Sequence, residues 1–512
     1  MNSAAGVIDV KRAIVAVVVT VLLLASLTSA QTARRGGVVR VGLDADTTGM
    51  DPHFASAAVD RQVYQSLYDK LVDINQDLEI VPMLATSWAL SNSGRTITFK
   101  LRPNVVFHDG TPFNAEAVKF NFERMLEPGS FRRSEILLVQ RAAVIDPLTV
   151  QLDLERPSSA LLAVLSDRAG MMVSPTAARR LGRDFGREAV GAGPYKFVER
   201  RPQERTVLER FDRHWDKTAG NVDRIIFRPF TDDQARVANL RAGELDIINV
   251  VPPTEVPALR TDARVKLLER VGLAYSGVWV NTASPTLGNK ALRQAFNATI
   301  DRATLVRVVF GETASPANGP FPHGMLASDA GPNSKIPERN LDFARAKLRE
   351  GGQPNGFALT LKVPPNRVQQ QIAQVLQSMA GEAGIRISVE IVEFGALLSQ
   401  MDKAQYDGAL VGWSGRPDPD GNVYNIFNTG GGFNYSQYNN ARLDSLLEAA
   451  RILSAPDLRR RAYADALTIL NDDLPYLFLY WQKEYKALSP KLQGFIHISD
   501  GMIRLRHAWL NP

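Results

Sequence analysis

A chain that reads as exported and lacks any cysteine has to hold its fold by packing alone. Lys11 and Arg12 precede an uncharged run from Ala13 to Ala30, which ends on the small residues Thr28-Ser29-Ala30. A charged start, a short apolar centre and a small-residue end make a secretory signal peptide over residues 1–30, with cleavage expected after Ala30. Its most apolar stretch, Ala13 to Leu27, is fifteen residues, short of the roughly 20 that cross a bilayer. No later run is long or apolar enough to span a membrane, so a soluble mature chain is expected. Without thiols there are no zinc–thiolate centres and no cysteine nucleophiles. Lipid attachment at the cleavage point is excluded too, so the expectation is a free periplasmic protein and not a lipoprotein.

Removing the leader leaves 482 residues, 512 less 30, a length for two or three domains. The formal charge falls from +6 to +5 as Lys11, Arg12 and Asp9 leave with it. The basic residues are dispersed, which argues against a nucleic-acid surface. No internal repeat is present, so solenoids and propellers are excluded.

Val38 to Leu43 has the length and apolarity of a strand, and Thr96 to Leu101 alternates like a half-buried one. Val63, Leu67 and Leu71 recur at helical spacing. Asn114 is placed to cap a helix whose buried face is Val118, Phe122 and Met125, with Phe113 and Val118 as its staple. Gly191-Ala192-Gly193-Pro194 is a tight turn into a strand from Tyr195. Strands over 224–230 and 245–250 flank a helix marked by Val237 and Leu240. After Val278-Trp279-Val280-Asn281 the texture changes and strong helices alternate with strands. Val368, Ile372, Val375 and Met379 mark a helix ending at Gly384, and Ile385, Ile387, Val389 and Ile391 a strand directly after it. Helix, glycine and strand in that order are half of an α/β unit. Tyr406 to Trp413 is a second buried strand, and helices follow around 443–450 and 458–470. The stretch 311–337 has five Pro, four Gly and no periodicity, a loop long enough to suggest function.

Searches for chemistry mostly fail. Gly412-Trp413-Ser414-Gly415-Arg416 approaches the nucleophile elbow G-x-S-x-G, but arginine stands where the last small residue belongs. Gly191-Ala192-Gly193 begins like a dinucleotide loop, but Lys196 replaces the final glycine and a strand follows. Asp418-Pro419-Asp420-Gly421 lacks a third acidic ligand for calcium, and Thr429 falls where the bidentate glutamate belongs. His53, His108, His214, His323, His497 and His507 share no short spacing, so no metal site is expected and they read as surface or turn residues. No cofactor is indicated.

Two features favour binding. The loop Trp413 to Asp420 follows the end of a buried strand, where open α/β sheets place ligands, and Pro417 and Pro419 stiffen it. Arg367 opens a helix, where its guanidinium and the helix N-terminus both suit a carboxylate.

In order along the chain stand Tyr68-Asp69-Lys70-Leu71-Val72, Pro82 to Trp88, Thr96 to Leu101 and Val106 to Phe113. Gly193-Pro194-Tyr195, Leu240 to Asp246 and Ala298 to Arg302 continue the series. With these seven segments the chain resembles solute-binding protein family 5, the periplasmic dipeptide- and oligopeptide-binding proteins of ATP-binding-cassette importers. The resemblance implies an α/β, two-lobed periplasmic binding protein fold, type II-like with an extra domain, its mixed sheets flanked by helices and a hinge between lobes. Lobe I would comprise 34–74, 186–281 and 485–512, the extra domain 75–185 and lobe II 282–484. The function implied is a receptor that closes on a short peptide or similar small polar solute and delivers it to a permease and its ATPase, as a monomer and not as an enzyme. A secreted hydrolase of small peptides or esters and a chemoreceptor-type binding protein are the alternatives. Relatives grip the ligand amine with an aspartate after the Gly-Trp pair, and Arg416 stands in that place here. Either Asp418 takes over through a shifted loop, or the site prefers an anionic group. The expected ligand-binding set is Arg367, Trp413, Arg416, Asp418, Asp420 and Tyr435. No histidine lies between Tyr406 and Asn440, which discounts nickel.

Overall fold

The computed structural model describes residues 34–511 other than 56, 58, 330–334, 366 and 454, so the expected leader lies outside the described residues. One mixed sheet runs through the molecule. Its strands lie in the order Arg386–Ile391, Ala358–Val363, Gly408–Leu410, Lys266–Val280, Tyr476–Leu488, Ile247–Ile248, Val38–Leu43, Arg224–Pro229, Arg205–Arg210 and Tyr195–Arg201. Ala314–Pro316 pairs off this path with Tyr476–Leu488.

Each end of the sheet has its own parallel group. Val38–Leu43 runs parallel to Arg224–Pro229 and Ile247–Ile248, with helix Asp233–Arg241 as the crossover. Ala358–Val363 runs parallel to Arg386–Ile391 and Gly408–Leu410, with helix Arg367–Gly381 as the crossover. The long strands Lys266–Val280 and Tyr476–Leu488 join the groups. Leu488 and Ala487 pair with Ile247 and Ile248, while Val278, Trp279 and Val280 pair with Gly408–Leu410. Between the two long strands the register shifts twice, from Val271 to Tyr275 and from Ser276 to Gly277. Bulges bend and twist a ladder, so the sheet is articulated there. A separate antiparallel sheet orders Ala85–Ser91, Thr96–Leu101, Thr149–Leu154 and Val139–Asp146.

The cores follow these units. Val39, Val41, Tyr64, Leu67, Ile225 and Ile503 pack in one cluster, and Ile97, Phe99, Val118, Phe122 and Val150 in another. The 358–391 end has a core on each sheet face: Val278, Leu361, Ile372 and Leu477 on one, Tyr275, Trp279, Phe427 and Tyr476 on the other. Alternation along Tyr275–Val280 feeds both.

Local expectations meet the structure in instructive ways. Asn114 Oδ1 accepts the Ala117 N–H at 3.0 Å, and Val118, Phe122 and Met125 are buried. The strand after Gly384 buries Ile385 and Ile387 but leaves Ile391 56% exposed, because it is the sheet's edge. The helix expected from Val63 to Leu71 is Asp60–Leu67. Gly193 N–H donates to Leu67 O at 3.1 Å, and a Cβ at Gly191 would fall 2.3 Å from that oxygen. Both glycines therefore serve the helix end. The strand expected over 245–250 is only Ile247–Ile248, and that over 406–413 only Gly408–Leu410. The histidines correct their surface reading: His53, His214 and His497 are buried. His108 accepts Gly191 N–H at Nδ1 (3.2 Å), leaving Nε2 to donate to Gly193 O (3.0 Å), and burial lowers its pKa to about 4. His108 thus fastens the glycine turn to the segment 106–113.

Candidate functional site

The loop after Gly408–Leu410 is pressed onto the irregular part of Lys266–Val280. Tyr275 and Trp413 exchange backbone hydrogen bonds of 3.1 and 2.8 Å. A Cβ at Gly412 would meet Ser276 Oγ at 2.4 Å, and one at Gly415 would meet Leu273 O at 2.2 Å. Gly415 also has φ +73°, a left-handed conformation that favours glycine. The two glycines of the elbow-like motif thus let the loop lie on the articulated ladder; they do not serve a nucleophile. Ser414 is exposed and its Oγ accepts from Arg416 at 3.0 Å.

Asn422 organises the loop. Its Oδ1 accepts Arg416 N–H at 2.8 Å and Trp413 Nε1–H at 3.2 Å, and its Nδ2 donates to Arg416 O at 3.0 Å. The Arg416 guanidinium lies 5.1 Å from the Trp413 ring and donates to Ser414 Oγ and to Gly415 O at 2.6 Å. No carboxylate among the described residues is within salt-bridge distance of it.

Asp418 and Asp420 are differently placed. Both oxygens of Asp418 are held by Arg459, at 2.6 and 2.5 Å. Asp420 pairs with Arg451 at 3.1 Å. Burial raises the Asp420 carboxyl to about 6, against the pull of Arg451. These carboxylates anchor the loop to helices Ala441–Ile452 and Pro456–Asp473, leaving none free for a ligand amine. Tyr435 sits one aromatic ring beyond Trp413: Phe433 is 5.3 Å from Trp413 and 6.4 Å from Tyr435. The Tyr435 ring packs edge-on against Trp279 at 5.2 Å. Arg367 is exposed at the start of its helix, and its side chain makes no ion pair with a described residue. That helix follows the end of Ala358–Val363, the strand parallel to Gly408–Leu410, so it starts at the same end of the sheet as the loop but packs on the face opposite Trp413 and Tyr435.

Sequence reasoning missed the opposite wall. Arg61, on helix Asp60–Leu67, holds Asp167 through two contacts of 3.1 and 3.0 Å. Arg132 pairs with Glu135 at 2.5 Å. These groups act on Arg416 across the gap: burial first, then the charge of Arg61, pull its pKa below the ordinary value. Burial works to raise Asp167, but Arg61, Arg168 and Arg416 hold it well below the carboxylate range. The walls also touch directly. Arg156 donates to Glu448 at 2.7 Å, Glu448 also accepts from Tyr424, and Ser159 N–H donates to Arg451 O at 2.7 Å. Arg451 thereby joins this latch to Asp420.

Elsewhere, a cavity of about 880 Å³ is lined by Asp51, Phe54, Arg124, Arg179 and Arg200, with none of the expected site residues. Arg124 there is bound to Asp51 and Arg200 to Asp46. Among the described residues no three metal-ligating side chains gather, and no helix is long and apolar enough to cross a membrane.

The model of the family 5 bacterial extracellular solute-binding proteins matches residues 79–435. The glutathione-binding protein GsiB of Pectobacterium atrosepticum is 29% identical over 513 residues, 97% of this chain and 98% of its own. The periplasmic binding protein DppA of Helicobacter pylori, solved with the peptide STSA, superposes with a TM-score of 0.82 at 26% identity, covering 94% of this chain and 99% of that one. HbpA2 of Haemophilus parasuis gives the same TM-score of 0.82 at 24% identity, covering 93% and 100%, a likeness of fold.

Proposed function

This chain belongs to the family 5 bacterial extracellular solute-binding proteins, and we propose that it captures a short peptide or glutathione-like solute between its two lobes. It is the solute-binding component of an ATP-binding-cassette importer, a binding protein and not an enzyme. The observation that carries the ligand class is the match along nearly the whole of a glutathione-binding relative, joined to a charged cleft around the Trp413–Asp420 loop. The partners are a permease and its ATPase at the inner membrane, approached from the periplasm after cleavage following Ala30.

The lobes are assigned as 34–74, 186–281 and 485–512 for the first, 75–185 for its extra domain and 282–484 for the second. What supports this division is that the buried clusters sort largely by these ranges. The crossings fall near Asn281 and Tyr485. Leu273, Tyr275, Val278, Trp279 and Val280 already pack with the second lobe's cores. The articulated ladder where that run begins, between Val271 and Tyr275, is therefore suited to act as the hinge. Closure is a population shift: a solute that touches both walls favours the closed form, which the permease reads. In this assignment Trp413 and Arg416 face the solute, Arg367 stands exposed at the start of its helix at the same end of the sheet, and Asp418, Asp420 and Tyr435 hold the wall in shape.

A thermal-shift screen of di- and tripeptides, glutathione, opines and sugars tests the reading. A solute at a hundred times its Kd stabilises the native chain by about 2.7 kcal/mol. No shift with any peptide or with glutathione at millimolar concentration would overturn the ligand class. The latch is a smaller matter. Arg156 and Glu448 are 41% and 30% exposed, so Arg156→Ala is expected to raise Kd by about 1.5- to 5-fold, chiefly through faster release in stopped-flow displacement. An unchanged release rate would remove the latch from the closed state.

A further inference from the structure

We infer that the turn over residues 75–79 is a strap across the hinge, and that Leu78 in it is a positioning residue for closure on the solute. This rests on the two-lobe reading above and adds a contact that closure makes. The turn joins strands Val72–Ile74 and Ile80–Pro82. Its root is fixed, since Val72 and Ile80 pack with the extra domain's core. Asn75 Oδ1 accepts the Asp77 and Glu79 N–H groups at 2.9 and 3.0 Å. The tip touches both sides of the register shift in Lys266–Val280. Arg270, before the shift, donates to Gln76 O at 3.2 Å and to Gln76 Oε1 at 2.7 Å. Leu78 packs against the second-lobe cluster, which begins on this strand at Leu273 and includes Tyr275, Trp279 and Phe427. The strand itself changes sides there, since Leu267 and Leu268 pack with first-lobe clusters.

The backbone of Leu78 shows that this contact is held against a local cost. Its φ is +65°, the left-handed conformation that glycine takes readily and leucine seldom does. Within the turn the hydrogen bonds run through Asn75 and the backbone, and none calls for leucine. What an apolar side chain adds at that position is cover for the cluster it packs against. Rotation between Val271 and Tyr275 carries that cluster away from a turn rooted in the first lobe's extra domain, so opening uncovers Leu78. The leucine therefore weights the equilibrium toward closure before any solute arrives, and less of the shift is left for the solute to supply.

The chain has no cysteine, so Arg156→Cys with Glu448→Cys supplies two unique thiols, one on each wall of the latch. A short bismaleimide, spanning the gap left by the two side chains, joins the walls only when they meet. The rate of joining without solute reads the closed population. Adding Leu78→Gly or Leu78→Asn is expected to slow joining by about 3- to 10-fold, the effect of a half-buried leucine. Leu78→Met, which keeps an apolar side chain, should retain most of the rate. The melting temperature of Leu78→Gly should hold, because relief of the left-handed backbone offsets the lost contact. Joining that is fast but indifferent to Leu78 would overturn the inference and leave the two lobes standing. So would a slowing that appears only in step with lost thermal stability, as a purely structural role predicts. If the walls are never joined while Leu78 is in place, the two-lobe reading falls and the inference falls with it.

Discussion

Asp69→Ala is expected to cost the folded chain about 3–5 kcal/mol, the loss typical when a buried ion pair forfeits one partner. Asp69 is fully buried. Arg506 bonds to one of its oxygens, and the other accepts His214 Nε2–H at 3.0 Å and Trp215 Nε1–H at 2.6 Å. Removing the carboxylate leaves a guanidinium and two N–H donors inside the protein with nothing in exchange. Urea unfolding followed by circular dichroism measures the loss, and a cost below about 1 kcal/mol would refute the account. The same group sets part of the acid limit. Burial works to raise its pKa, but Arg506 and the bonds from His214 and Trp215 hold it at about 2, below the ordinary 3.8. A depressed carboxylate contributes its stability above the unfolded value and loses it as pH falls. About 2–3 kcal/mol should therefore disappear between roughly pH 4 and pH 2, and Asp69→Asn should flatten that part of the profile.

Arg459→Ala is expected to cost a similar 3–5 kcal/mol and to weaken solute binding at least about tenfold. Asp418, 15% exposed in the native chain, would lose its charge partner and keep only the Asp420 N–H at Oδ1, beside Asp420, whose carboxyl burial already raises. The loop that presents Trp413 and Arg416 would lose the contact that fixes its far end, so its ordering would be charged against binding. The double variant Arg459→Met with Asp418→Leu separates the two effects. An apolar pair in that space should recover much of the stability while leaving the loop without its bidentate anchor. Stability that fell while affinity held would mean that Asn422 alone shapes the loop.

The fold was legible where apolar spacing is strong. Val118, Phe122 and Met125, Ile372 and Met379, and the alternation through Ile97 and Phe99 all face cores as their periods require. Strand lengths were less legible, since on the long strands Gly408–Leu410 pairs only with Val278, Trp279 and Val280, and Ile247–Ile248 only with Ala487 and Leu488, limits that apolarity does not mark. The loop carrying Trp413 and Arg416 could be found from its place after a buried strand. The employment of Asp418 and Asp420 could not be. Asp418 meets Arg459 from 41 residues away on a helix face that reads as solvated, and Arg61 meets Asp167 from 106 residues away. Pairings of that kind have no local signature. Within the family segments, Asp69, His108 and Asp246 each bond within the frame.

The reach of Asp69 to Arg506, 437 residues along the chain, has its counterpart in Gln62, which bonds to Gly501 and Ile503 across 439 and 441. The sheet half around Val38–Leu43 is therefore completed by residues more than 400 positions downstream. A nascent chain stopped at residue 490 has the strands of that half but not Ile503, Leu505 or Arg506 to close its core. Contacts this distant form late. A chain held short of these residues cannot close that core, which fits the proposed passage of the polypeptide through a narrow pore before it becomes compact.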